Sequence, residues 1–233
     1  MKTYYAGGSL GDAYVILCKV YRTAQKEQIL LKHYTRFESL KPSIREIYSL
    51  IPGINVEFRD KEQPLGITGQ FLHHKLVGKR MTYLPDDDGY GLDFECHPDF
   101  NLGNASRFGL PDSYITMQLE SGANPKKLRR INADEIKRII SHSNLPVVIL
   151  GKDNVDCPQG IGIVNLREKT SIKEVVKIIR DSRHFYGCLG LLSLVALSQQ
   201  ICSTLYKPLY LKDKHAFESR IQPIVEWRRC VSQ

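Results

Sequence analysis

The chain has 233 residues, 42% hydrophobic and 25% charged, a composition that excludes wholesale disorder and suits one large domain or two small ones. Its longest near-apolar run, Gly187 to Leu197, has 11 residues, about half of the ~20 a spanning helix needs. The charge is lopsided: residues 1–110 carry 14 Lys+Arg against 13 Asp+Glu, so nearly all of the net +8 lies C-terminal to them, and a basic half invites an anionic ligand.

Met1 to Gly8 lacks the apolar stretch of a secretory signal, which makes the cytosol the expected location. The cysteines Cys18, Cys96, Cys157, Cys188, Cys202 and Cys230 form no CxxC pair. They are expected to be reduced and mostly buried, with neither a zinc ribbon nor a redox motif among them.

In chain order, Thr3 to Ala6 reads as a short strand, Gly7-Gly8-Ser9-Leu10-Gly11-Asp12 as a turn and Ala13 to Ala24 as a helix. Gln28 to Leu31 and Ile54 to Phe58 follow as strands, with Ser43 to Leu50 helical between them. From Pro64 to Asp112 the pattern dissolves into Gly, Pro, Asp and aromatic residues, read as loops with two short strands and a linker at Leu110-Pro111-Asp112. Beyond it, Tyr114 to Leu119 and Leu145 to Gly151 read as strands. Between these two, Asn132 with Glu135 opens a helix in the manner of a capping box, and Ser171 with Glu174 does the same further on. Ile161 to Leu166, His184 to Tyr186 and Ile201 to Leu205 supply further strands. His215 to Cys230 is helical in composition but broken by Pro223, as a last helix crossing between domains would be. The alternation implies parallel α/β sheets in two domains, 1–110 and 111–233, facing across a cleft.

Three segments have the chemistry of a ligand site. In the first turn, glycines such as Gly8 and Gly11 let backbone N–H groups approach a ligand, and Asp12 either projects at the cleft mouth or caps the helix. The second, Ser121-Gly122 followed by Lys126, Lys127, Arg129 and Arg130, places cations at the carboxyl end of a strand, where open α/β sheets bind phosphates. A solvated charge run is the rival reading. The third, Gly187-Cys188-Leu189-Gly190, permits close approach of a diphosphate to a helix start, or tight strand-to-helix packing. Asp86-Asp87-Asp88 sits beside Pro85 and Gly89 and reads as a solvated turn; adjacent His73 and His74 point to opposite faces of a strand, so no metal site is expected.

In order, these segments resemble the ADP-heptose:lipopolysaccharide heptosyltransferase family. The family begins with a short strand and a turn ending in Gly-Asp, here Ser9-Leu10-Gly11-Asp12. Its second half opens with a strand, donor loop, helix and Gly-terminated strand, here Tyr114 to Gly122, Ile131 to His142 and Val147 to Gly151. Val164-Asn165-Leu166-Arg167-Glu168-Lys169-Thr170-Ser171-Ile172-Lys173-Glu174-Val175 is similar to its NL-x-x-x-TS-L-x-E stretch. Where the family has Gly-x-Asp-Ser/Thr-Gly and then a His, this chain has the shorter, acid-free Gly187 to Gly190, with Ser193 near the His position.

The resemblance implies two Rossmann-like domains of GT-B type, the N-terminal acceptor-side domain reduced and the C-terminal one binding the nucleotide sugar. It implies a metal-independent, inverting glycosyl transfer without a cofactor, from a nucleotide-sugar donor to a glycan or other hydroxyl acceptor. Asp12 maps onto the family's general base. Gly8, Ser9, Gly11, Ser121, Gly122, Lys126, Lys127, Arg129, Gly187, Cys188, Leu189 and Gly190 map onto the donor site. The missing acid and His make an inactive nucleotide- or sugar-binding module of the same fold the alternative. Dispersed cations without interleaved aromatics argue against a nucleic-acid partner; without a transmembrane segment, any membrane contact is peripheral.

Overall fold

The computed structural model describes residues 1–60, 70–71, 73–77, 80–83, 100–122, 129–152, 155–207 and 225–229. The chain divides into two compact units between Asn101 and Leu102.

The first unit contains β1 (Lys2–Gly7), α1 (Leu10–Ala24), β2 (Ile29–Tyr34), α2 (Lys41–Tyr48), β3 (Ile54–Arg59) and β4 (Gln70–Phe71). Its four strands lie side by side as β3-β2-β1-β4, all parallel. A hairpin of β5 (His73–Val77) and β6 (Arg80–Tyr83) follows, so three strands form where the sequence suggests two. The period-2 rule puts Ile29, Leu31 and His33 of β2 on one buried face. Tyr14, Ile16, Leu17 and Val20 of α1 and Ile44, Ile47 and Tyr48 of α2 are buried with them. Phe100 closes the unit edge-on to Tyr14, with ring centroids 5.9 Å apart.

The second unit contains β7 (Ile115–Gln118), β8 (Glu120–Ser121), β9 (Arg129–Arg130), α3 (Ala133–His142), β10 (Val147–Ile149) and β11 (Ile163–Asn165). It continues with α4 (Ile172–Arg180), β12 (Phe185–Cys188), α5 (Leu191–Ser198), β13 (Ser203–Lys207) and β14 (Val225–Arg229). Six strands form one parallel sheet in the order β11-β10-β7-β12-β13-β14. By order of appearance this is 3-2-1-4-5-6, the dinucleotide-fold order, in which the winding reverses beside the first strand. Alternation sends Ile115 and Met117 into one apolar cluster with Ile136 and Ile139 of α3. It sends Thr116 to the opposite face, where its hydroxyl donates to Ser182 just after α4. α5 is buried from Leu192 through Ser198, as befits a helix apolar all round.

Other expectations change as well. Residues 225–229 are not helical: after Pro223, β-forming Val225 and Trp227 belong to an edge strand paired with Ser203 to Lys207, which occupies its backbone groups as a helix interrupted by proline would not. The remainder of the expected last helix, Asp86 to Asp88, Cys96 and Cys230 lie outside the described residues. At α3, Asn132 caps through the Asp134 amide (3.1 Å), but Glu135 turns to Arg138 (2.6 Å) and the Tyr206 hydroxyl (2.6 Å) instead of completing a box. Of the described cysteines only Cys188 is buried, while Cys202 is exposed, because Cys202 sits in the loop ahead of β13.

Residues 102–110, assigned above to the first domain, are tied to the second unit. Arg107 donates to both oxygens of Glu174 (2.7 and 2.9 Å) and to the Lys169 carbonyl (3.0 Å). Glu174 in turn completes the α4 capping box with Ser171. Burial alone would raise the Glu174 carboxyl, yet hydrogen bonds from Arg107 and Ser171 outweigh it and hold the group below its ordinary value. A depressed folded-state value contributes stability above the unfolded value of about 4.3 and loses it as pH falls through the lower folded value. Arg107→Ala is therefore expected to cost about 1–2 kcal/mol at neutral pH, with the difference from wild type shrinking below about pH 4. Urea unfolding across that range checks it; a pH-independent loss would contradict the assignment.

Candidate functional site

Each parallel sheet has a point where strand order reverses, and a glycine-containing turn stands at each. In the first unit the turn links β1 to α1. Gly8 adopts φ +121°, a conformation that strains any residue with a Cβ, and its N–H donates to the Tyr34 carbonyl of β2 (3.0 Å). Ser9 is the N-cap of α1. Asp12 is not the N-cap but the third helical residue: its Oδ2 accepts from the Ser9 N–H (2.7 Å) and the Ser9 hydroxyl (2.9 Å), and a capping box results. A Cβ on Gly8 would lie 2.6 Å from the Asp12 Cβ, so the two residues are packed as a pair. Gly11 lies within the first turn of the helix.

Under this turn lies a residue that the sequence reading passed over. His33 is fully buried; its Nδ1 is 2.8 Å from the Tyr48 hydroxyl and its Nε2 is 3.4 Å from the Gly8 carbonyl. Tyr48 and Phe58 stand edge-on to the imidazole, at 5.7 and 6.2 Å. Burial, and after it the nearby Asp12 charge, pushes the Tyr48 hydroxyl well above the ordinary phenol value, so it stays a neutral donor. The available signal was a histidine in phase with buried Ile29 and Leu31.

In the second unit, β7 and β12 are neighbours whose onward connections run to opposite sides. After β7 the chain turns into the antiparallel arm of β8 and β9, in which Ser121 faces Arg129 and Glu120 faces Arg130. Arg130 is held by Glu120 (2.7 Å), while the Nε of Arg129 is buried without a hydrogen-bond partner. Gly122 follows with φ +126°; Lys126 and Lys127 lie outside the described residues.

Gly187 and Cys188 belong to β12 itself, because the strand runs further than the sequence suggests, and Cys188 points into the apolar cluster around Met117. The turn proper is Leu189-Gly190. Ser121, read as part of a different loop, donates its hydroxyl to the Leu189 carbonyl (3.2 Å). A Cβ on Gly190 would overlap the Ser121 hydroxyl and lie 3.3 Å from its Cβ. Ser193 has a definite local duty: its hydroxyl accepts from the Gly190 N–H and donates to the Gly190 carbonyl, both at 2.8 Å.

Gln118, at the end of β7 and 6% exposed, keeps its Oε1 buried without a partner. It packs beside Gly187, where an added Cβ would meet the Gln118 Cβ at 3.3 Å and the Phe185 ring at 2.5 Å. A polar residue within the buried run Ile115–Gln118 was the signal for it. Among the described residues, no group of three or more His, Cys, Asp or Glu is placed to hold a metal, and no helix is long and apolar enough to cross a membrane.

No protein-family model matches the sequence, and no curated protein does. Solved structures match the fold. ADP-heptose LPS heptosyltransferase II from E. coli aligns over 100% of this chain and 92% of its own, with 13% identity and a TM-score of 0.63. A glycosyl transferase family 9 protein from Veillonella parvula aligns over 98% and 86%, with 11% identity and a TM-score of 0.61. The iron-containing dodecameric glycosyltransferase TibC from enterotoxigenic E. coli gives 14% identity and a TM-score of 0.54; the alignment takes in 90% of this chain, which spans 59% of the length of TibC. A second TibC structure holds ADP-D-β-D-heptose. The chain thus resembles, in its α/β fold of parallel sheets, the heptosyltransferases and a glycosyl transferase of family 9.

Proposed function

We propose that the protein is a glycosyltransferase of GT-B type that moves a sugar from a nucleotide-activated donor to an acceptor hydroxyl, metal-independently and with inversion. The observation that carries this reading is the meeting of Ser121 with the Leu189-Gly190 turn at the strand-order reversal of the second unit. In open α/β sheets, ligands bind outside the carboxyl ends of the strands at such a reversal. Ser121 leaves no room for a side chain at Gly190 and so holds the turn in place, and the start of α5 that follows it offers the positive end of a helix dipole to a bound diphosphate.

The first unit serves the acceptor and the second the nucleotide sugar. Asp12 takes the proton from the acceptor hydroxyl as that oxygen attacks the anomeric carbon. The bonds from Ser9 both fall on Oδ2 and hold the carboxylate at the start of α1. The bond from the anomeric carbon to the donor phosphate breaks, and negative charge grows on the departing diphosphate. Lys126, Lys127, Arg129 and the start of α5 supply the compensating positive field. The buried, unpartnered Nε of Arg129 supports a role for it toward an anion.

The inactive-module reading has its own support, since Ser193 occupies itself with Gly190 where the family has its His. The transferase, and the module in its nucleotide-binding form, require nucleotide binding. A nucleoside diphosphate or nucleotide sugar at 100 times its dissociation constant is expected to stabilise the fold by about 2.7 kcal/mol, seen as a thermal shift, and Lys126→Ala with Lys127→Ala should weaken its calorimetric affinity. A screen of such ligands without any shift would overturn the transferase and the nucleotide-binding module alike. A shift combined with turnover on an acceptor selects the enzyme.

A further inference from the structure

We propose that His33 and Tyr48 form a positioning couple that sets the β1–α1 turn and, through it, the orientation of the Asp12 carboxylate. The inference rests on the transferase reading for its catalytic consequence, but not for its structural content. Gly8 is bound to β2 at both ends of its residue: its N–H donates to the Tyr34 carbonyl (3.0 Å), and its carbonyl faces His33 Nε2 (3.4 Å). A carbonyl oxygen only accepts, so Nε2 carries the imidazole proton and Nδ1 is left as an acceptor. The Tyr48 hydroxyl from α2 donates to that Nδ1 (2.8 Å) and so selects the tautomer.

The sequence of donors is therefore Tyr48 O–H to His33, His33 Nε2–H to Gly8, and Gly8 N–H to Tyr34. Next to it, Ser9 donates twice to Asp12 Oδ2 (2.7 and 2.9 Å). Gly8 and Asp12 are packed closely enough that a Cβ on the first would lie 2.6 Å from the Cβ of the second. A rotation of the Gly8 peptide thus moves the cap and the carboxylate together. Burying an imidazole completely is costly unless both ring nitrogens are satisfied, and the site satisfies them with one group from α2 and one from the turn.

The test compares amide exchange in full-length variants. Asn at position 33 reaches as far as the imidazole Nδ1, whereas Gln extends to the place of Nε2. His33→Asn is expected to speed exchange at Gly8 and Ser9 roughly tenfold more than at Ile29 and Leu31 within β2, and His33→Gln to restore most of the protection. Equal loss across the whole unit, or the same result for Asn and Gln, would overturn the proposal, because a side chain that merely fills the core gives that pattern. Should His33→Asn not fold, nitrogen-15 histidine spectra of Tyr48→Phe decide. A single Nε2–H tautomer in the wild type that becomes mixed in the variant supports the couple, and an unchanged tautomer refutes it. Where turnover is measurable, Tyr48→Phe should lower kcat and leave nucleotide affinity intact. Failure of the transferase reading would show as absent turnover and leave the exchange pattern untouched.

Discussion

Asp12→Asn is expected to lower turnover by roughly 100-fold or more, the usual scale for losing a general base, while fold and nucleotide affinity are kept. The amide cannot take a proton in the working pH range, but its oxygen still accepts from Ser9, whose N–H and hydroxyl both point at Oδ2 in the wild type. What Asn loses as a cap is the negative charge in the first helical turn, worth about 0.3–1 kcal/mol. The two roles of Asp12 are thereby separated: a pure capping residue yields a small loss of stability with normal turnover, and a base adds a large loss of turnover to that same small loss of stability. Initial rates at saturating donor, with urea unfolding on the same samples, measure both. Near wild-type turnover would remove Asp12 from the mechanism.

Gly190→Ala is expected to cost about 1–3 kcal/mol, the scale of overpacking in a well-filled site, and to weaken nucleotide binding at least tenfold. The backbone is not the cause, since Gly190 is extended at φ 172°, which any residue adopts. The cause is steric, because the new methyl would overlap the Ser121 hydroxyl. Relief requires moving Ser121, which breaks its bond to the Leu189 carbonyl, or moving the start of α5, which is buried from Leu192 onward. Ser121→Gly in the same chain should recover most of the stability, and the double-mutant cycle should show a coupling of about 0.5–3 kcal/mol. Additive effects would mean that the two loops do not meet in solution.

The sequence made some parts of this arrangement legible and others not, for local reasons. Ser171 and Glu174 declare a helix start at a spacing of three residues, and the box forms as read. Asn132 and Glu135 present the same spacing, yet Glu135 is drawn to Arg138 and to Tyr206, a residue of the distant β13. His33 lies beyond Leu31, where the apolar run of the sequence ends, and Gln118 shares its strand with Thr116, so neither stands out by itself. Their meaning depends on partners in other elements: Tyr48 for one, the surroundings of Gly187 for the other. Cys188 was placed in a binding turn because Gly187 looks like a strand terminator. Pairing with Tyr206 of β13 carries the strand one residue beyond that glycine and turns the thiol into the core.

By itself the sequence determined the alternation of strands and helices, the parallel α/β class and the two glycine-bearing turns, because periodicity, capping and turn preferences act over a few residues. Tertiary structure alone decided that Arg107 belongs with Glu174 across 67 positions and that Ser121 meets Leu189 across 68. It also decided that residues 225–229 end as the sixth strand of a sheet. Such pairings follow from which apolar faces pack together and in what strand order, and that choice is made by contacts between elements rather than within them.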